Sequence, residues 1–158
     1  MLKRAWHSKY IRGHAPWNNE EDCYHTWLKI VEDNKESLES IATFDELYKA
    51  VEELKIKGIG DLTIYDTATM IGCPHQVYPT KVYLHAGAAA GARSLGIDAA
   101  VVERSLFVSI FPAFDKLNAL QIEDFLCIYM SHLSGDANES EKPEFCCIPI
   151  DVKIGGCK

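Results

Sequence analysis

One short turn limits this chain more than any other stretch. Lys55-Ile56-Lys57-Gly58-Ile59-Gly60 separates two segments that both read as helices. Before it, Thr43-Phe44-Asp45-Glu46 has the form of a capping box, with Thr at the N-cap and Glu at N3. Phe44, Leu47, Val51 and Leu54 then recur at helical spacing and form a single apolar stripe. After the turn a second helix is predicted from Asp61 to Ile71, stopping at Gly72 with Pro74 beyond it. Glycines in such a turn reach backbone angles closed to other residues and leave the main chain uncovered by a Cβ. The first turn of the second helix has amides with no intrahelical acceptor, and the helix dipole makes that end attractive to an anion. Gly60, Leu62 and Thr63 are expected to present those amides, with the Thr63 hydroxyl as a further donor. Ile59 is expected to plug the gap between the helices, and Lys55 and Lys57 to lie beside the same spot.

The rest of the chain also reads as helical. Asn19 followed by Glu20-Glu21-Asp22 marks a helix start, and Cys23, Trp27, Ile30 and Val31 carry its apolar side. Residues 34–42 are expected to hold short polar turns at most. Pro79 is read as the first turn of a helix reaching about Leu95 and capped by Gly96. Its middle, from Ala86 to Ala92, is almost all small. Glycine inside a helix costs about 1 kcal/mol relative to alanine, so a second backbone is expected to approach there. Asp98 is expected to cap the next helix, with Val101, Val102, Leu106, Phe107 and Ile110 apolar and Pro112 at its end. A last helix is predicted from Leu117 to Leu133, with Leu120, Phe125, Ile128 and Tyr129 inward. Residues 1–18 read as an aromatic and basic arm, 19–135 as one helical domain, and 136–158 as a polar, cysteine-containing tail in which Cys146 to Ile154 alternates weakly.

Charge and cysteine content narrow the function. The net charge of −7 counts against a general, long-range attraction to nucleic acid. Its distribution is uneven: residues 15–54 and 96–158 are acidic, whereas residues 1–14 and the turn region, 55–95, are net positive. The acidic run 20–53 reads as a solvated face, or as a surface for a basic partner protein, or as a mimic of nucleic acid. The six cysteines, at 23, 73, 127, 146, 147 and 157, have the spacing of neither a disulfide framework nor a zinc site. No stretch has the apolar length of a membrane span, and the basic N-terminus lacks an apolar core to follow it. A cytoplasmic protein with no cofactor is expected.

The turn resembles the helix–hairpin–helix motif of DNA-binding proteins, which follows hydrophobic-x-Gly-hydrophobic-Gly-x-x-(Thr/Ala). The match here is Ile56-Lys57-Gly58-Ile59-Gly60-Asp61-Leu62-Thr63. The resemblance implies non-sequence-specific binding to a DNA backbone, since such contacts read phosphates and not bases. Asp61 departs from it, because a carboxylate there repels phosphate unless it points away. The layout of residues 44–133 also resembles the helix–hairpin–helix DNA glycosylases, without their chemistry. Their nucleophilic Lys would stand at Leu62. Their catalytic Asp would fall near Pro79, where Val77-Tyr78-Pro79-Thr80-Lys81-Val82 holds no acid. Cys146, Cys147 and Cys157 lack the spacing of a four-cysteine iron–sulfur loop.

Other candidate chemistry is thinner. Lys81 and His85 are expected one helical turn apart near a helix start, as a nucleophile pair or, more simply, with Lys81 extending the basic surface around the turn, as Arg93 does from the helix end. His7, His14 and His25 with Cys23 form a conceivable metal set, against the plainer reading of an aromatic cover over the core. Asp61 and Asp66 do not share a helix face. No Walker loop, Gly-x-Ser-x-Gly or His-Glu-x-x-His is present. The expectation is therefore an all-α bundle of five to six helices with one helix–hairpin–helix element and an irregular tail. Its site residues are Lys55, Lys57, Gly58, Ile59, Gly60, Leu62, Thr63 and Lys81. A protein–protein module with a merely structural hairpin, and an enzyme with an unrecognised site, are the competing readings.

Overall fold

The computed structural model describes residues 21–135. Among them are eight α-helices, two short 3-10 turns and one two-stranded sheet, so the protein is mainly α. The N-terminal arm, the helix start at Asn19 and the tail after Gly135 lie outside the described residues. The chain divides into two compact units, one ending at Gln76 and one starting at Val77. No helix among the described residues is long and apolar enough to cross a membrane.

The first unit begins with α1 (Glu21–Asp33), whose apolar spacing buries Trp27 and Val31. The short α2 (Lys35–Glu39) buries Leu38. In α3 (Phe44–Glu53) the predicted stripe is buried at Phe44, Leu47 and Val51. Thr43 is extended, and its hydroxyl accepts from the Glu46 amide. The same hydroxyl donates to the Glu46 carboxylate at 2.7 Å, so Glu46 grips the cap side chain. Helix α4 (Asp61–Gly72) buries Ile64, Tyr65, Ala68 and Ile71. The Phe44 and Tyr65 rings meet edge to face, their centroids 5.8 Å apart, which ties α3 to α4. A 3-10 turn, Cys73–His75, ends this unit.

The second unit corrects three expectations. No helix starts at Pro79. Lys81–Tyr83 is strand β1, and helix α5 spans only Ala86–Ser94. Likewise Asp98 caps nothing: Val101–Glu103 is strand β2, and α6 runs from Arg104 to Ile110. The strands are antiparallel, with Lys81 opposite Glu103, Val82 opposite Val102 and Tyr83 opposite Val101. The Leu84 amide extends the pairing to the Ala100 carbonyl at 2.8 Å. Val82 and Val102 then share the buried face, as the period of two requires. After a 3-10 turn at Pro112–Lys116, α7 (Ala119–Ile128) and α8 (Met130–Ser134) replace the single helix expected over 117–133. Asn118 and Gln121 form a reciprocal capping box, with bonds of 2.8 and 2.9 Å.

The buried face of α7 also differs from expectation. Ala119, Ile122, Glu123 and Leu126 are inward, Leu120, Phe125 and Tyr129 are half-buried, and Ile128 is exposed. On α6 only Phe107 of the expected apolar positions is buried, while Leu106 and Ile110 face solvent. For α7 the cause lies at Gly91. Helices α5 and α7 approach so closely that a Cβ at Gly91 would land on the Leu126 carbonyl. The small residues of α5 therefore pack on the α7 main chain, and Ala88 and Ala92 are fully buried beside it.

Two predictions follow from these contacts. Gly91→Ala is expected to destabilise the protein by about 1–3 kcal/mol, because a helix carbonyl cannot move aside, even after the roughly 1 kcal/mol gain in helix propensity. Gly87→Ala is expected to cost less. Its Cβ would meet the Cys127 Sγ at 2.7 Å, and a thiol can rotate away. Urea unfolding of the two variants measures the difference, and equal stabilities would remove the distinction. Separately, burial and then the nearby Asp66 carboxylate push the Tyr24 phenol up to about 12. The folded state thus holds that proton after the unfolded chain releases it near pH 10. Stability is expected to be insensitive to this group below pH 10 and to fall between pH 10 and 12. Tyr24→Phe should flatten that fall in alkaline denaturation curves.

Candidate functional site

The turn between α3 and α4 is built from both sides. Helix α3 ends with the Leu54 amide on the Val51 carbonyl and the Lys55 amide on that of Glu52. The Ile59 amide then reaches back to the Ile56 carbonyl at 3.2 Å, closing the turn. Gly58 has φ +98°, a conformation that L side chains rarely adopt. Ile59 is buried at 6% exposure.

Gly60 behaves differently from Gly58. Its φ is −91°, with extended ψ, so the fold does not require glycine there for its backbone angles. A Cβ at Gly60 would meet nothing within 4 Å. It is the N-cap of α4, and no side chain of its own covers the first-turn amides. The Ile64 amide makes the first intrahelical bond, to the Gly60 carbonyl at 3.2 Å. Leu62 is exposed and Thr63 half-buried at this open end, and the Thr63 carbonyl accepts from the Thr67 hydroxyl at 2.7 Å.

Charge at the turn is mixed. Lys55 Nζ lies 2.7 Å from Asp61 Oδ1, so the carboxylate that the sequence flagged is held by the lysine expected to attract phosphate. Both groups are well exposed, and such a pair contributes at most about 1 kcal/mol. The Tyr48 phenol is raised by burial, then by the Glu52 carboxylate, then by that of Asp61. Lys57 is exposed.

One supporting residue escaped sequence reasoning. The Cys23 thiol donates to the Lys57 carbonyl at 2.9 Å. Its sulfur also stands 2.8 Å from where a Gly58 Cβ would be. Cys23 is 34 positions away in sequence, and no local pattern links them.

The remaining candidates are not brought together into a catalytic arrangement. Lys81 lies on β1, and His85 is the N-cap of α5, so the expected helical turn between them does not exist. Neither lines a cleft of the second unit bounded by Pro79, Thr80, Arg104 and the 115–119 segment. Arg104 is already committed there, donating to the Leu117 carbonyl at 2.7 Å and to that of Asp115 at 2.5 Å. Among the described residues no group of three His, Cys, Asp or Glu could hold a metal ion. His7 and His14 lie outside those residues.

The two glycines should respond oppositely to the same change. Gly58→Ala is expected to cost about 1–2 kcal/mol from the left-handed backbone alone, with the Cys23 contact adding to it. Gly60→Ala is expected to be neutral or to stabilise by up to about 1 kcal/mol through the unfolded chain. Denaturant midpoints decide this, and a large loss at Gly60 would contradict the open geometry. Compared with known proteins, the chain matches no protein family, no curated sequence and no solved structure.

Proposed function

We propose that this chain binds the sugar–phosphate backbone of DNA, without base specificity, through a helix–hairpin–helix element formed by α3, the turn and α4. The observation that carries the reading is Gly60. A glycine that neither its backbone angles nor its packing requires stands at the mouth of a helix N-terminus with open space above it. A phosphate oxygen needs that arrangement to reach main-chain amides. Gly58 and Ile59 shape the turn, Leu62 and Thr63 supply first-turn amides, and Lys57 supplies positive charge. Lys55 contributes only when it leaves Asp61. Lys81 stands on β1 in the other compact unit and is not part of the proposed site. The proposal rests on the hairpin and not on the wider glycosylase layout, because β1 stands where that layout places a helix. No catalytic step is part of it.

A second reading has one observation in its favour. Lys55 Nζ stands 2.7 Å from Asp61 Oδ1, so a carboxylate at the mouth of α4 occupies one of the two turn lysines, which suits a protein partner better than a phosphate. In that case the hairpin is only architectural.

Fluorescence anisotropy with single-stranded and duplex DNA at low and near-physiological salt separates the two. Binding is expected to be salt-sensitive, since phosphate contacts release counterions. Gly60→Glu should weaken it by roughly tenfold or more while the variant stays folded, because the side chain enters open space. Lys57→Glu should lower the salt slope by about one. Asp61→Asn should strengthen binding by releasing Lys55. No binding at low salt, or wild-type affinity in Gly60→Glu, would end the proposal and favour the protein-binding reading.

A further inference from the structure

Arg104 has more donors than its structural partners use. Its Nε donates to the Leu117 carbonyl at 2.7 Å, and its Nη2 to the carbonyls of Phe114 at 3.3 Å and Asp115 at 2.5 Å. Those bonds hold the guanidinium against the 3-10 turn that precedes α7. Nη1, with two N–H groups, bonds to nothing among the described residues. A guanidinium fixed in this way has already lost the side-chain freedom that a binding arginine otherwise gives up.

The same arginine borders a cleft of about 450 Å³, a volume within the range of small-molecule sites. Lys116 borders it too, is exposed, and pairs with no acid among the described residues. Asn118, on the same rim, accepts from the Gln121 amide through Oδ1 at 2.8 Å, which leaves Nδ2 without a bond among the described residues. Asp115 is the acid of this lining. It is 75% exposed and stands 3.4 Å from Arg104 Nη2, so it is set against the edge of the guanidinium already in use. Pro79 and Leu117 add apolar wall.

We propose that this cleft binds the phosphate group of a small organic monoester, with the organic part against Pro79 and Leu117. Arg104 Nη1 and Lys116 supply charge-assisted hydrogen bonds, and Asn118 Nδ2 a neutral one. A phosphate monoester brings three acceptor oxygens and nearly twice the charge of a carboxylate, which suits two cations beside one acid. The inference is independent of the DNA-binding proposal, which concerns the other unit.

An NMR titration of the full-length chain with phenyl phosphate tests it, following the amides of Lys116 and Asn118 and the Nε–H of Arg104. Saturable shifts at all three are expected, and an arginine that is only a staple for the turn would not give the third. Inorganic phosphate, without the ring, and benzoate, without the phosphate, are each expected to bind at least roughly threefold more weakly. Lys116→Glu changes an exposed position and leaves the Arg104 bonds in place. It is expected to weaken phenyl phosphate by roughly fivefold. No shifts at millimolar phenyl phosphate, or shifts confined to other residues, would overturn the inference. So would equal affinity for either control anion, or wild-type affinity in Lys116→Glu.

Discussion

The first unit depends on one backbone angle. Gly58 takes φ +98° with the Cys23 sulfur directly against it, and only a residue without a Cβ satisfies both conditions. Ile59 is then buried, while Gly60 is left extended at the open end of α4. The Phe44–Tyr65 contact and the buried stripe of α3 presuppose this path. A turn that forbids a side chain at one glycine and merely leaves room for one at the next separates a folding requirement from a surface feature.

The second unit is organised by a different constraint, the contact of the α5 and α7 main chains at Gly91 and Leu126. Close approach exchanges side-chain volume for backbone proximity. It explains why this helix is stable despite the poor propensity of its two glycines, Gly87 and Gly91. It also explains why Leu126 and Ile122 fill the core beside Ala88 and Ala92. The bulkier Phe125 and Tyr129 are displaced to the flank, where they stack on each other.

Legibility in the sequence followed the range of the interactions. Thr43, the stripe of Phe44, Leu47 and Val51, and the limits of α4 are set by neighbours within four positions, so period and caps reveal them. The Pro79 region misled because proline suits both a first helical turn and the approach to a strand. Val82-Tyr83 and Val101-Val102 do favour strands, but three-residue strands are too short for a period of two to register. The face of α7 differs from a ranking on hydrophobicity because the close approach of α5 turns the Leu126 side of the helix inward. At the candidate site, the turn residues were open to local reasoning, whereas the sequence reading left Lys55 for phosphate and did not pair it with Asp61, six positions on. The support from Cys23 was not legible either, because it crosses 34 positions.

The pairing of β1 with β2 has a topological consequence for α5. Residues 84–100 leave one strand and return to its partner, so this stretch is a closed loop fastened at its neck by Val82 and Val102. Its closure entropy is spent when those two valines meet, and α5 then settles onto α7 as a tethered body and not as a free helix. Cutting the chain between Gly96 and Ala100 would open the loop yet leave α5 joined to β1 through Leu84 and His85. Opening the neck instead would release the helix and the strand pair together. The sheet, though only three residues long on each side, therefore acts as the clasp of the second unit.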